Sequence, residues 1–182
     1  MDKIVVRGGG RLEGEVAASG SKNSALALMA SALLARGETR FENVPRLRDV
    51  EGMLEILRAL GAQADWDPED PHAVRIDAST IRSPEAPYDL VRKMRASFLV
   101  LGPLLARFGA ARVSEPGGCA IGVRPVDQHL KGLRALGGKL TLDHGYVEAT
   151  AARLQGARVS FDLNTVNGTQ NVMMAAALAE GE

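Results

Sequence analysis

Apolar and polar positions along this chain repeat with a period of 72 residues. Three apolar stretches with helical spacing each end in a glycine, at Gly37, Gly109 and Gly181, and successive glycines are 72 positions apart. A glycine suits such a place because the residue after a helix often adopts a left-handed backbone conformation. A second marker, the sequence LRALG at residues 57–61, recurs at residues 133–137. The pattern therefore predicts copies of one supersecondary unit.

The first unit alternates between helical and strand-like spacing of its apolar residues. Residues 39–44 are predicted to form a strand, and residues 50–60 form a helix with its apolar side chains on one face. Strands at residues 62–67 and 73–77 follow. The order helix, strand, helix, strand, strand predicts an α/β domain in which helices pack on sheets.

The second unit repeats this order, with a strand at 111–115, a helix at 126–136 and strands at 139–143 and 146–150. The third copy begins with a strand near 157–162 and a helix near 168–180, after which the sequence ends at Glu182. Strands without neighbours leave backbone groups unpaired. We therefore expect these residues to be the N-terminal part of a longer polypeptide, with a naturally short variant as the alternative.

Composition excludes several classes of protein. Of the 182 residues, 46% are hydrophobic and 24% are charged, which are ordinary values for a folded domain. The formal net charge of zero argues against a nucleic-acid partner. The single cysteine excludes an internal disulfide and favours a reducing, cytoplasmic location. The three histidines are scattered, so we predict no metal site, and the longest apolar run, residues 25–35, is too short to span a membrane.

An insertion distinguishes the second unit from the first. Gly37 and Gly61 are 24 positions apart, whereas Gly109 and Gly137 are 28 apart. The four extra residues lie in a glycine-rich loop around Cys119, and insertions into a repeat often carry function. A thiol near cations is reactive, but a glycine hairpin with a small buried thiol is the alternative.

The starts of the helices form a second group of candidate residues. Adding 72 to Lys22 and Asn23 gives Met94 and Arg95, and adding 72 again gives positions 166 and 167. If the units are related by a pseudo-threefold axis, Lys22, Asn23, Arg95 and Asn167 converge on one rim and suit an anionic, hydroxyl-bearing substrate. The alternatives are helix capping by residues 19–23 and an Arg95 stem lying over apolar surface. His129 is equally consistent with a structural and a functional role.

Several segments together resemble the UDP-N-acetylglucosamine enolpyruvyl transferase family. The most specific is PGGCAIGVRPVD at residues 116–127. The others are GSKNSA at 20–25, NVP at 43–45, YDLVRKMRAS at 88–97 and LGPL at 101–104. The resemblance implies a two-domain enzyme in which each domain is an inside-out α/β barrel of three repeats around buried helices. Residues 1–20 would supply strands to the second domain, and residues 21–182 would form the first domain with its third repeat incomplete.

The resemblance also implies a reaction. The family transfers the enolpyruvyl group of phosphoenolpyruvate to the 3′-hydroxyl of UDP-N-acetylglucosamine and releases phosphate, the first committed step of bacterial peptidoglycan synthesis. It needs no cofactor, no nucleic acid and no membrane, but it needs the other half of the same polypeptide, which supplies an aspartate base. These 182 residues alone are expected to be nearly inactive. A shikimate-pathway enolpyruvyl transferase and a non-catalytic UDP-sugar-binding module remain the alternatives.

Site residues are carried over position by position from the same resemblance. Cys119, the thiol that fosfomycin alkylates in the family, would be catalytic, either as the acid that protonates the methylene carbon of phosphoenolpyruvate or by assisting product release. Lys22 would be catalytic as well. Lys22, Asn23 and Arg124 would bind phosphoenolpyruvate. The nucleotide sugar would be bound by Asn23, Arg95, Arg124, Pro125, Val126, Asp127, Gln128, Thr165 and Val166. At Leu163 many relatives have a lysine that touches the diphosphate, so that contact is not expected here. Residues 165–168 are TVNG, where some members of the family have a sequence of the Ser-Val-Gly-Ala type, so the resemblance supports the contacts of Thr165 and Val166 less strongly than the others.

Overall fold

A computed structural model of the chain describes residues 3–92, 94–116 and 126–182. The helices are α1 (Lys22–Ser31), α2 (Arg48–Ala59), α3 (Tyr88–Val91), α4 (Leu101–Phe108), α5 (Asp127–Ala135) and α6 (Val166–Ala176), with 3-10 segments at Ala32–Leu34 and Arg95–Val100. The strands are β1 (Glu38–Phe41), β2 (Gln63–Trp66), β3 (Val74–Asp77), β4 (Glu85–Ala86), β5 (Ala110–Ser114), β6 (Lys139–Asp143) and β7 (Tyr146–Thr150).

Two sheets of the same topology confirm the predicted repeat. The first sheet has the strand order β1-β3-β2, and the second has β4-β5-β7-β6. In both units the last strand lies in the middle and pairs antiparallel with the other two. The second sheet has an added edge, because β4 pairs in parallel with β5. The α/β class and the order of elements in the first two units are therefore as predicted.

The helices supply most of the core. The apolar stripe of α2 is fully buried at Val50, Met53 and Leu57, as its 3.6-residue spacing predicts. Helix α6 lies against both α1 and α4, and α5 packs on α6. Among the described residues, no helix is both long enough and apolar enough to cross a membrane.

Glycines allow α6 to approach its neighbours at backbone distance. A Cβ on Gly102 of α4 would lie 2.4 Å from the carbonyl oxygen of Asn171, and one on Gly132 of α5 would lie 2.3 Å from Cγ2 of Val172. Both distances are far below van der Waals contact, so neither position has room for a side chain. The core around α6 therefore depends on these two glycines.

The predicted glycines after the helices have the expected backbone conformation. Gly37, Gly109 and Gly181 all have positive φ. Gly109 ends α4 with φ 70°, and a Cβ there would lie 2.8 Å from the carbonyl oxygen of Ala151. Any other residue at Gly109 would be strained by its backbone angle and by this contact.

Two predicted sets of strands are absent from the described residues. The strand predicted at 157–162 is wrong, because these residues form no strand, and the pairing nearby is one isolated bridge between Gln155 and Glu180. The strands predicted within residues 1–20 are likewise absent from residues 3–20, where Leu12 and Val16 are almost fully exposed. An extended segment becomes a strand only when a neighbour satisfies its backbone groups, and here no described strand lies beside either segment. The assignment of residues 1–20 to a second domain stays a prediction.

Candidate functional site

A cleft of about 530 Å³ opens where the first residues of α1, of the Arg95–Val100 segment and of α6 meet. Its lining belongs to three successive repeats and comprises Lys22, Asn23, Leu26, Asp49, Met94, Arg95, Ala96, Asn164, Thr165, Val166 and Asn167. The structure thus brings together Lys22, Asn23, Arg95 and Asn167, which occupy equivalent positions of the repeat. It also brings Thr165 and Val166 to the same cleft.

Side-chain caps fix the two long helices that begin at this cleft. Ser21 caps α1, since its hydroxyl accepts a hydrogen bond from the Ser24 amide at 3.4 Å. Thr165 caps α6 in the same way, accepting from the Gly168 amide at 3.1 Å. Neither helix has an acidic residue in its own first turn, so no residue of that turn offsets the positive end of the helix dipole. Such helix ends suit a phosphate or a carboxylate.

Lys22 is held by a carboxylate across the cleft. Its Nζ lies 2.6 Å from Oδ2 of Asp49, which belongs to the first turn of α2. Asp49 is not among the site residues predicted from the sequence. The repeat gives no signal for it, because the contact joins α1 to the helix that follows it.

A buried hydrogen-bond network joins α6 and the Arg95–Val100 segment, which both begin at the cleft, to α4 and α5. Asn171 of α6 donates from Nδ2 to Nδ1 of His129 at 3.0 Å, and its Oδ1 accepts from the Gly102 amide at 2.7 Å. Nδ2 also lies 3.4 Å from the Phe98 carbonyl oxygen, and the Phe98 ring packs edge-on against His129. The network therefore ties α6 to α4, to α5 and to the 3-10 helix that begins at Arg95.

His129 is a neutral, structural residue in this network. Burial, together with the positive charge of Arg95, lowers the pKa of His129 from 6.5 to about 4. Because Asn171 donates to Nδ1, the ring proton sits on Nε2. Of the two roles that the sequence left open for His129, the structural one fits these contacts.

The predicted nucleotide ligands at the start of α5 do not line this cleft. Val126 and Gln128 are buried, and Gln128 accepts a hydrogen bond at Oε1 from the Asp162 amide at 3.0 Å while donating to Oδ2 of Asp127 at 2.7 Å. Lys131 also pairs with Asp162, at 2.5 Å, and hydrogen bonding by Lys131 and Gln128 lowers the pKa of that carboxyl. These contacts hold Asp162, which lies three residues before Thr165.

The remaining predicted site residues are not all described. Cys119, Arg124 and Pro125 lie outside the described residues. Leu163, at the position where a lysine was expected in relatives, is exposed and lies next to the cleft residue Asn164.

Known proteins resemble this chain over its whole length. A family model described as EPSP synthase (3-phosphoshikimate 1-carboxyvinyltransferase) matches residues 6–182. A UDP-N-acetylglucosamine 1-carboxyvinyltransferase of Myxococcus xanthus is 61% identical over 181 residues, and one of Trichlorobacter lovleyi is 57% identical over 183 residues. Each alignment covers 100% of this chain and 43% of the relative, so the chain spans less than half the length of these relatives.

Solved structures show the same fold. The enolpyruvyl transferase NikO from Streptomyces tendae superimposes with a TM-score of 0.76 at 29% identity, covering 96% of this chain and 40% of that protein. The EPSP synthase of Acinetobacter baumannii superimposes with a TM-score of 0.70 at 20% identity, covering 92% of this chain and 39% of that protein. The second likeness concerns the fold alone.

Proposed function

The chain belongs to the EPSP synthase family, and we propose that it is part of an enzyme that transfers the enolpyruvyl group of phosphoenolpyruvate to the 3′-hydroxyl of UDP-N-acetylglucosamine. The observation that carries this choice of acceptor is the 61% identity, over the whole chain, to a UDP-N-acetylglucosamine 1-carboxyvinyltransferase. The single cysteine fits an enzyme of the reducing cytoplasm.

The chemistry of the cleft supports this proposal because both substrates are polyanions. The Lys22 ammonium has three donors for a phosphate or carboxylate, and the Arg95 guanidinium offers a planar fork. Asn23 can both donate to and accept from a sugar hydroxyl. The acid-free start of α6 at Thr165 and Val166 offers backbone amides to a diphosphate.

The reaction balances without an oxidant or a reductant. The 3′-hydroxyl loses its proton to the aspartate base of the other half as its oxygen forms a bond to C2 of phosphoenolpyruvate and C3 takes up a proton, which gives a tetrahedral adduct. The bond from C2 to the phosphate oxygen then breaks as C3 loses a proton, and inorganic phosphate leaves. We assign Cys119 as the acid for C3 and Lys22 with Arg124 as the cations that stabilise the charge of the leaving phosphate.

The N-terminal residues have a place in the same proposal. Residues 3–20 expose the apolar side chains of Ile4, Val6, Leu12 and Val16. A segment with exposed apolar side chains and no strand pairing among the described residues is suited to adding a strand to another sheet. We therefore assign residues 1–20 to a second domain of the enzyme and residues 21–182 to the first.

Phosphate release by the native polypeptide that contains these residues tests the function. With phosphoenolpyruvate and UDP-N-acetylglucosamine together we expect release of one phosphate per product, and with either alone none. Lys22→Ala should lower kcat/KM by about a hundredfold or more, since it removes a cation that faces developing charge. Lys139→Ala, which removes an exposed lysine of β6, is the matched control and should leave the rate unchanged.

Changing the acceptor separates the alternatives. Release with shikimate 3-phosphate but not with the nucleotide sugar would establish the shikimate-pathway reaction instead. Tight binding of the nucleotide sugar with no release under any condition would establish a binding module.

A further inference from the structure

The ion pair between Lys22 and Asp49 has a place in the cleft that folding alone does not explain. Both residues line the cleft, and their side chains are 43% and 39% exposed. Ion pairs at this exposure contribute little to the stability of a fold, because water screens them and two side chains lose freedom.

The helix dipole of α2 explains why an acid stands at position 49, but it does not explain why the Asp49 carboxylate contacts Lys22. An acid in the first turn of α2 interacts favourably with the helix dipole, and Glu51 in the same turn does the same. The dipole does not require that the carboxylate be directed across the cleft at a lysine of another helix. The backbone of Asp49 is also fixed, since Val50 and Met53 beside it are fully buried.

A lysine at the edge of a cleft needs a partner if its ammonium is to stay in one place. Its four-carbon stem has several rotatable bonds, and an unrestrained ammonium samples many positions. A carboxylate 2.6 Å from Nζ occupies one of three donors and leaves two for an incoming anion.

We propose that Asp49 is a positioning residue that holds the ammonium of Lys22 toward the cleft, ready for the phosphorylated substrate. The identity of that substrate as phosphoenolpyruvate rests on the function proposed above. The positioning role itself requires only that a phosphate-bearing anion bind at Lys22.

Two effects of Asp49 on such an anion have opposite signs. Its negative charge repels the anion, so a purely electrostatic role means that removing it tightens binding. Its hold on Lys22 favours the anion, so a positioning role means that removing it weakens binding. The direction of the change therefore distinguishes the two roles.

The experiment is a double-mutant cycle in the native polypeptide, with calorimetric binding of phosphoenolpyruvate measured beside steady-state kinetics. Asp49→Ala should weaken phosphoenolpyruvate binding and lower kcat/KM by about tenfold to a hundredfold. Asp49→Glu keeps the charge and should recover most of the loss. Glu55→Ala removes an acid from an exposed position of the same helix and should change neither quantity.

The Lys22→Met background gives the decisive comparison. There, Asp49→Ala should change binding less than about twofold, because the group through which Asp49 acts is gone. An equal loss in both backgrounds, tighter binding in Asp49→Ala, or unchanged binding and kinetics in that variant would each overturn the proposal. The thermal midpoints of all variants identify any that fail to fold. If Asp49→Ala does not fold, the KM of Asp49→Glu for phosphoenolpyruvate decides: a KM above the wild-type value supports positioning by Asp49, and an unchanged KM overturns it.

Failure of the reaction is distinguishable from failure of the positioning role. If the wild-type protein releases no phosphate but the binding cycle shows the expected coupling, the proposed function is wrong and the role of Asp49 stands. If phosphate is released and the coupling is absent, the function stands and the role of Asp49 is wrong.

Discussion

Replacing Asn171 with alanine should destabilise the fold more than any surface change on the same helix. Asn171 is fully buried and makes two short hydrogen bonds, at 2.7 Å with the Gly102 amide and at 3.0 Å with His129. A buried polar group that loses its partner costs about 1–3 kcal/mol, so two such groups give about 2–6 kcal/mol. That is a large part of the roughly 5–15 kcal/mol typical of a whole domain.

Urea unfolding followed by circular dichroism of the native polypeptide measures this loss. Asn171→Ala should shift the midpoint of the transition that involves these helices, with little change in its steepness. The matched control is Gln170→Ala, a partly exposed neighbour, which should change the free energy of unfolding by less than about 0.5 kcal/mol. A loss below about 1 kcal/mol for Asn171→Ala would show that the network does not hold the helices together.

Two further predictions concern the same core. Between pH 7 and pH 4 the protein should lose roughly 3 kcal/mol through His129, because its pKa of about 4 lies below 6.5 and the unfolded chain takes up the proton first. Unfolding curves of His129→Gln should depend less on pH in that range, and an unchanged slope would contradict the assignment. Gly132→Ala should cost about 1–3 kcal/mol in the same assay through its clash with Val172. Its control, Gly52→Ala, has nothing nearer than Met94 at 4.0 Å and should raise stability by up to about 1 kcal/mol, since alanine favours helix; equal effects of the two substitutions would refute the packing argument.

The sequence predicted the repeated units well because their signals are local. The stripe of α2 and the strands 139–143 and 146–150 follow from side-chain spacing. The 72-residue period likewise predicted that Lys22, Arg95 and Asn167 share one cleft. The prediction of a strand at 157–162 was wrong because strand formation there depends on a partner that is not local in sequence. The alternation of side chains there is strand-like, but a strand also needs a paired neighbour, which spacing does not report.

The missed residues are those whose roles depend on long-range contacts. Asp49 has the pattern of an ordinary first-turn acid, and only packing places it against Lys22. Asn171 is a polar residue within an apolar helix, which was a usable signal, but its partners Gly102 and His129 are 69 and 42 positions away. Contacts between residues that are this far apart in the chain produce no repeating pattern of residue types, so a single sequence does not reveal them.

The two acid-free helix starts that open onto the cleft have a kinetic consequence. Their positive ends are made of backbone amides at Lys22 and Val166, so no change of protonation removes them. A field of this kind acts over about 8 Å at physiological ionic strength, and it draws an anion toward the cleft before any side chain touches it. Association of a phosphorylated ligand should therefore slow as salt is added. In the proposed reaction the same field would act on the departing phosphate as on the arriving one, so added phosphate should compete with a phosphorylated ligand for the same helix ends.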